Sequence, residues 1–464
     1  MRFWNTDTGS PVKTCPFARG RYPADAAKKG MVLDMEKILV RGGTPLMGSV
    51  EVSGFKNAAL PIIYACVLVK DKIVLENIPN ISDITCSFEI LRGMGAKIRM
   101  LDRTTYEVDC TDVVPCSSDY ELVRKIRGSY YLLGAEFGRF GKARVGLPGG
   151  CDFGVRPIDQ HIKGFEAMGG VVNTEGGYVE ISSEDGPKSA SIFFDVSTVG
   201  ATLNIMIAAA TAEGTTYIDN AAKEPHIVDC ANFLNSCGAN ITGAGSDVIK
   251  IRGVEELHGC SYAIIPDMIE AGSFMVAAAA TAGSVRINNV IPKHLESITT
   301  KLIEVGADVE EFDDAVHVTG CAKMRRTNVK TLPYPGFPTD MHPQMTAMLC
   351  RAEGVSYINE SIFDNRFRYV EELNRMGAQV KVEGRIVYIE GPAQLTGAKV
   401  IATDLRGGIA VMIAALMCEG ETEISEIKLI ERGYDDICGK LQGLGADIRR
   451  ISTPDPADSL QKAN

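Results

Sequence analysis

The chain has 464 residues, of which 45% are hydrophobic and 23% charged, an ordinary globular balance that argues against a disordered, fibrous or membrane-spanning protein and allows several domains of about 150 residues. Forty-eight Lys and Arg against 59 Asp and Glu leave a formal charge of −11. That charge opposes non-specific attraction to nucleic acid or an anionic bilayer and makes a small-molecule ligand the default expectation. The 13 cysteines are odd in number and include no Cys-x-x-Cys pair, so neither a disulfide framework nor a zinc ribbon is expected, and a reducing cytoplasm fits best.

Residues 1–34 mix Gly, Pro, Arg and Lys without an apolar core, so they do not read as a signal peptide and are expected to be a disordered extension. Met31 and Met35 are alternative starts. From there to residue 451, a phrase of the form Leu-x-x-x-Gly-Ala-x-Ile/Val or a close relative recurs six times. Its glycines, Gly95, Gly169, Gly238, Gly306, Gly377 and Gly445, are spaced 68 to 74 residues apart. Each phrase predicts an amphipathic helix, a left-handed glycine cap and a strand. Inside each unit an Ala-rich helix ends at a turn and runs into an alternating strand, as in Ala212-Glu213-Gly214-Thr215, Ala282-Gly283-Ser284 and Ala352-Glu353-Gly354. The expectation is an α/β (or α+β) plan of six units, with the Ala-rich helices sandwiched by sheet. Residues 452–464 are left as a tail.

The second unit is longer than its siblings between its two turns. The excess lies in residues 146–157, a glycine-rich stretch containing Gly149-Gly150-Cys151 and Arg156. A lengthened loop on a repeated scaffold is where function commonly resides. A lone cysteine is usually an apolar filler, but a thiol in a glycine-rich loop near a cation tends toward reactivity.

At the starts of the Ala-rich helices, 14 to 16 residues before the first turn, stand Lys56, Arg127, Thr198, Asp267, Asp340, and the pair Asp404 and Arg406. Capping accounts for Thr198 and the three aspartates without any function. It does not account for Lys56, Arg127 or Arg406, because a cation at a helix N-terminus opposes the macrodipole. Arg156, Arg432 and Arg366 occupy comparable places before the second helices. Six cations at repeated helix ends predict a phosphate or carboxylate site. His161 follows the long loop and reads equally as a structural or ligand-touching residue. Neither metal-binding histidine spacing nor a P-loop, a dinucleotide fingerprint or a Gly-x-Ser-x-Gly elbow occurs, so no metal and no cofactor are expected.

The phrases Val52 to Pro61, Leu147 to Pro157, Phe337-Pro338-Thr339-Asp340-Met341, Asn365-Arg366-Phe367, Thr403-Asp404-Leu405-Arg406 and Glu431-Arg432-Gly433-Tyr434 together resemble the UDP-N-acetylglucosamine 1-carboxyvinyltransferase family of enolpyruvyl transferases, in order, from about Met35 to Ile451. The resemblance implies a two-domain inside-out α/β barrel. Residues 55–265 would form one three-repeat domain and 35–54 with 266–451 the other. It implies transfer of the enolpyruvyl group of phosphoenolpyruvate to the 3-hydroxyl of UDP-N-acetylglucosamine. Cys151 would be the acid that protonates the methylene carbon and Asp340 the base. Lys56, Asn57, Arg156, Arg366, Arg406 and Arg432 would hold phosphoenolpyruvate. Arg127, Arg156, Pro157, Ile158, Asp159, Gln160, Thr198, Val199, Asp340 and Ile362 would hold the sugar nucleotide. No nucleic-acid or membrane partner is implied.

Departures from the family pattern are small. Gly128 stands where alanine is common, Asp152-Phe153 fills the loop unusually, and Gly407-Gly408 follows Arg406. Asp152 beside Cys151 would disfavour the thiolate. The alternatives are a shikimate-pathway enolpyruvyl transferase, which has Lys-Ser where this chain has Lys56-Asn57 and no Gly-Gly-Cys loop, and a non-catalytic sugar-nucleotide-binding paralogue. An RNA-end-processing enzyme on related repeats is disfavoured by the acidic charge.

Overall fold

The structure is a computed structural model that describes residues 34–115, 120–147 and 157–454. Cys151, Arg156 and Asp152-Phe153 lie outside the described residues, as do the chain before residue 34 and the end of the tail. Residues Lys37–Ile451 form a compact unit.

The repeat appears as six mixed α/β modules. The first helices are Lys56–Ala65, Tyr131–Phe140, Val199–Ala209, Met268–Ala280, His342–Leu349 and Leu405–Met417. They are buried on nearly every side, as helices of mostly apolar residues must be: all of Met268–Ala280 is buried. Their small side chains let backbones approach closely. Tyr131–Phe140 packs against Lys56–Ala65 and Val199–Ala209, while Met268–Ala280, His342–Leu349 and Leu405–Met417 pack on one another. The second helices bury only a stripe; Glu296–Val305 hides Ile298, Thr299, Leu302 and Val305. Each ends as predicted, because the six glycines of the repeated phrase all have φ between 83° and 106°, the left-handed region that costs a residue without Cβ little.

Among the described residues six sheets carry the strands. In the third repeat, the order is Asn240–Thr242, Val248–Arg252, Thr215–Asp219 and Ser191–Phe193, the last pair parallel and the others antiparallel. Three sheets borrow a strand from elsewhere in the chain. Ser261–Ala263 lies parallel to Lys72–Glu76 and completes the first repeat. Met47–Glu51 lies parallel to Ser284–Asn288 in the fourth. Asp34–Arg41 pairs antiparallel with Glu421–Ser425 in the sixth, Ile38 opposite Ile424.

Between these borrowed strands the chain runs past itself at residues 53–55 and 265–267. Phe55 N–H donates to the Ile265 carbonyl at 2.7 Å and Asp267 N–H to the Ser53 carbonyl at 2.9 Å. Gly54 bridges Pro266 here; a Cβ on it would fall 1.7 Å from the Asn77 carbonyl oxygen, so only glycine fits. Buried Glu270 accepts from Ser53 N–H at 2.9 Å and pairs with Lys440, which also donates to Ser53 Oγ at 2.7 Å. The crossing is thereby fixed from three elements, and it delivers Lys56 and Asp267 side by side at two helix starts. Among the described residues no helix is long and apolar enough to cross a membrane.

Candidate active site

The helix starts gather a row of alternating charges. Lys56 opens its helix with no side-chain cap and is buried, its Nζ 2.7 Å from Asp83. Asp83, in the first turn of Ser82–Gly93, also takes Arg432 Nε at 3.0 Å. Burial alone would raise the Asp83 pKa, but Lys56 and Arg432 outweigh it and hold the carboxyl below its ordinary value. Burial raises the pKa of Asp267, while the charge of Arg406 and the nearby Lys56 backbone N–H pull it back down. Arg406 in turn meets Asp340 Oδ2 through Nε at 3.2 Å and Nη2 at 3.1 Å. Arg366 meets Asp340 Oδ1 at 2.6 Å and donates to Thr339 Oγ1 at 2.7 Å. Four of the six predicted cations therefore stand in one connected row.

Asp340 sits in the 3-10 turn Thr339–Met341 ahead of His342–Leu349, with 25% of its side chain exposed. Burial would raise its pKa, yet the two guanidiniums hold it well below the usual carboxylate range. Both arginines are buried. Arg406 lies over the Tyr434 ring, 5.4 Å from its centroid, and Tyr434 Oη is 2.8 Å from Ser273 Oγ. Arg366 lies 5.4 Å from the Phe363 centroid. Ile362 is half-buried, and its N–H with that of Phe363 donates to the buried Glu360 carboxylate, which Thr339 also reaches at 2.8 Å. Glu360 thus orients the turn that presents Asp340.

The capping expectation holds for Asp267 and Asp404, whose side chains accept from the second and third backbone N–H groups of their helices. It fails for Asp340, whose oxygens face arginines instead. It fails also for the Thr198 side chain, which makes no cap bond to Val199–Ala209. Thr198 and Val199 are half-buried, leaving the hydroxyl at the helix end. Asn57, beside Lys56, is likewise half-buried.

Arg127 opens the 3-10 turn Arg127–Tyr130, its guanidinium 5.4 Å from the Tyr130 centroid. At Gly128 a Cβ would stand 2.9 Å from Leu60 Cδ1, the end of a side chain that can shift, so this turn lies close on the Lys56 helix. Pro157 and Asp159 are exposed and Ile158 half-buried at the start of Asp159–Ala167. Gln160 is buried, its Oε1 accepting from Asp195 N–H at 2.9 Å. His161 is buried against Tyr130, ring centroids 5.8 Å apart, and burial, then Arg127, pushes its pKa down to about 4, so it is neutral at physiological pH.

Asp83 and Glu360 were missed by sequence reasoning. Asp83 lies in the first turn of a helix, where any carboxylate is favourable, and only the fold shows it between two cations. The sequence around Glu360, Tyr357-Ile358-Asn359-Glu360-Ser361, carries no distinguishing signal.

Six repeats with buried helices inside and sheets outside, and anion-seeking cations at helix starts, define an enolpyruvyl transferase of the carboxyvinyltransferase class. The sequence profile of EPSP synthase (3-phosphoshikimate 1-carboxyvinyltransferase) matches residues 40–441, and the chain belongs to that family as a transferase. It is 54% identical over 418 residues, 90% of this chain and 100% of the relative, to a UDP-N-acetylglucosamine 1-carboxyvinyltransferase of Clostridium botulinum. It is also 54% identical over 417 residues, 90% of this chain and 99% of the relative, to UDP-N-acetylglucosamine 1-carboxyvinyltransferase 2 of Clostridium acetobutylicum. Among solved structures, the enolpyruvyl transferase NikO of Streptomyces tendae superposes with a TM-score of 0.81 at 26% identity, covering 91% of this chain and 100% of that one.

Proposed function

We propose that this chain transfers the enolpyruvyl group of phosphoenolpyruvate to the 3-hydroxyl of UDP-N-acetylglucosamine, releasing phosphate by addition and then elimination. In the cytoplasm this is the first committed step of peptidoglycan precursor synthesis, on which cell-wall growth, cell shape and division depend. The observation that carries the reading is the charge row Arg432, Asp83, Lys56, Asp267, Arg406, Asp340, Arg366, a cradle for a three-carbon substrate with two anionic groups. The relatives at 54% identity over 90% of the chain support the sugar-nucleotide acceptor.

In this reading Lys56, Asn57, Arg156 and Arg432 hold phosphoenolpyruvate with its phosphate, and Arg366 with Arg406 takes its carboxylate. Arg127, Arg156, Pro157, Ile158, Asp159, Gln160, Thr198, Val199 and Ile362 line the sugar-nucleotide side. Cys151 gives its Sγ proton to the methylene carbon as the 3-hydroxyl oxygen attacks the adjacent carbon and Asp340 takes the hydroxyl proton. In the elimination one methyl proton returns to the Cys151 thiolate as the phosphate leaves with the proton held by Asp340, which restores the double bond and both side chains. Residues 55–265 would form one three-repeat domain and 35–54 with 266–451 the other. The borrowing of strand 261–263 by the first repeat, and of 47–51 and 34–41 by the fourth and sixth, supports that partition. Closure between the halves would exclude water.

Phosphate release decides the acceptor. With phosphoenolpyruvate and UDP-N-acetylglucosamine the chain is expected to release phosphate, and with shikimate 3-phosphate it is expected to release none. The opposite result would make it a shikimate-type transferase, and silence with both would make it a binding paralogue. Cys151→Ala is expected to abolish covalent labelling by a phosphonate epoxide; labelling that survives in the variant would remove Cys151 from the reaction.

A further inference from the structure

We propose that Cys237 and Cys260 form a dithiol modification site, remote in sequence from the catalytic residues, that small-molecule disulfides oxidise reversibly to a Cys237–Cys260 disulfide. Cys237 caps the C-terminal end of helix Pro225–Ser236, and Cys260 stands immediately before strand Ser261–Ala263. The backbone already holds these ends together: His258 N–H donates to the Cys237 carbonyl at 2.9 Å, and the two Sγ atoms are 3.4 Å apart. Tyr262 Oη bonds Asp229 Oδ1 at 2.6 Å across the same helix and strand, so the pair is braced on both sides.

The two thiols are unequal in the way stepwise exchange requires. Cys260 is half-buried and Cys237 fully buried. The two Sγ atoms share one hydrogen bond, which lowers the Cys260 pKa, with exposed His258 contributing, and raises that of Cys237, which burial raises further. A thiolate that solvent can reach is the nucleophile in exchange. Neighbouring Cys66, Cys110 and Cys230 are buried, and burial holds their thiols high, so they are inert fillers. Among the described residues no group of three or more Cys, His, Asp or Glu converges as metal ligands would; what sets this pair apart from the buried cysteines is the 3.4 Å Sγ–Sγ approach with one member half-buried.

The steps balance. The Cys260 thiolate attacks one sulfur of a small disulfide, forming a mixed disulfide and expelling one small thiolate. The expelled small thiolate takes the proton of Cys237, which then attacks the Cys260 sulfur, forming the protein disulfide and expelling the second thiolate. Two protein thiols are oxidised and one small disulfide is reduced to two thiols.

Oxidised glutathione is the probe. After incubation of the full chain, unfolding and alkylation, Cys237 and Cys260 are expected both to escape alkylator, to appear as one linked peptide under non-reducing digestion, and to regain alkylation after dithiothreitol. In Cys260→Ser the linked peptide is expected to vanish while Cys237 alkylates fully. A Cys260 that remains a glutathione adduct beside an alkylatable Cys237, or a Cys237 linked to Cys230, would overturn the proposal. Should Cys260→Ser fail to fold, the linked peptide and its reversal in the unsubstituted chain decide alone.

Discussion

Asp340→Asn is expected to lower kcat by about 10²–10⁴-fold, the span that general acid–base catalysis contributes, while the KM for UDP-N-acetylglucosamine changes far less. Asn keeps one acceptor but removes the charge that offsets two buried guanidiniums, so a stability cost of about 3–5 kcal/mol is expected alongside, and kcat is compared on the folded fraction. Retention of more than a tenth of kcat would remove Asp340 from the proton transfer.

The pH dependence sharpens the expectation. With Arg366 and Arg406 both on its oxygens, the carboxyl of Asp340 is held far below its ordinary value, and so depressed a carboxylate is a weak base. A substrate carboxylate that draws those arginines to itself would return basicity to Asp340 only when the substrate is in place. The acid limb of kcat, which reports the bound enzyme, should therefore lie at higher pH than that of kcat/KM, which reports the free one. Because the folded pKa is depressed, the stabilisation from the Asp340 pairs is present above the unfolded carboxylate value of about 3.9. It is lost only as pH falls through the still lower folded value. Coincident acid limbs would show that the arginines never leave Asp340.

The repeat made much of this legible. Six glycines spaced 68 to 74 residues apart announced six helix caps because a left-handed φ has one cheap occupant, and all six have it. Lys56 and Arg406 were identifiable as anion seekers because a cation at a helix start needs an explanation beyond the helix. The partner each has in the folded chain was not legible. Asp83 and Asp340 look like a dipole-favouring carboxylate and a cap, readings that local sequence satisfies completely. Only the crossing at Gly54 and Pro266, made of contacts more than 200 residues apart in sequence, sets Lys56 beside Asp267 and Arg406. The same limit explains Thr198: its type and position fit a cap, yet the hydroxyl stays off the helix N–H groups.

Asp83→Asn should have a large effect on stability, and the reason lies in what Asp83 stands in for. Its carboxylate compensates Lys56 and Arg432, with side-chain exposures of 5%, 10% and 19% respectively. Removing one member of a buried ion group leaves the others unpaired, at a cost of about 3–5 kcal/mol, so the thermal midpoint should fall by several degrees. An anion bound between the two cations would restore the missing charge. Ligand that binds only the folded state stabilises it in proportion to RT ln(1 + [L]/Kd), so millimolar inorganic phosphate should raise the midpoint of Asp83→Asn by more than it raises that of the unsubstituted chain. A carboxylate that merely oriented the cations would give the reverse, because a loosened pair binds phosphate less tightly. Equal shifts in the two proteins would place the phosphate elsewhere and detach Lys56 and Arg432 from phosphoenolpyruvate.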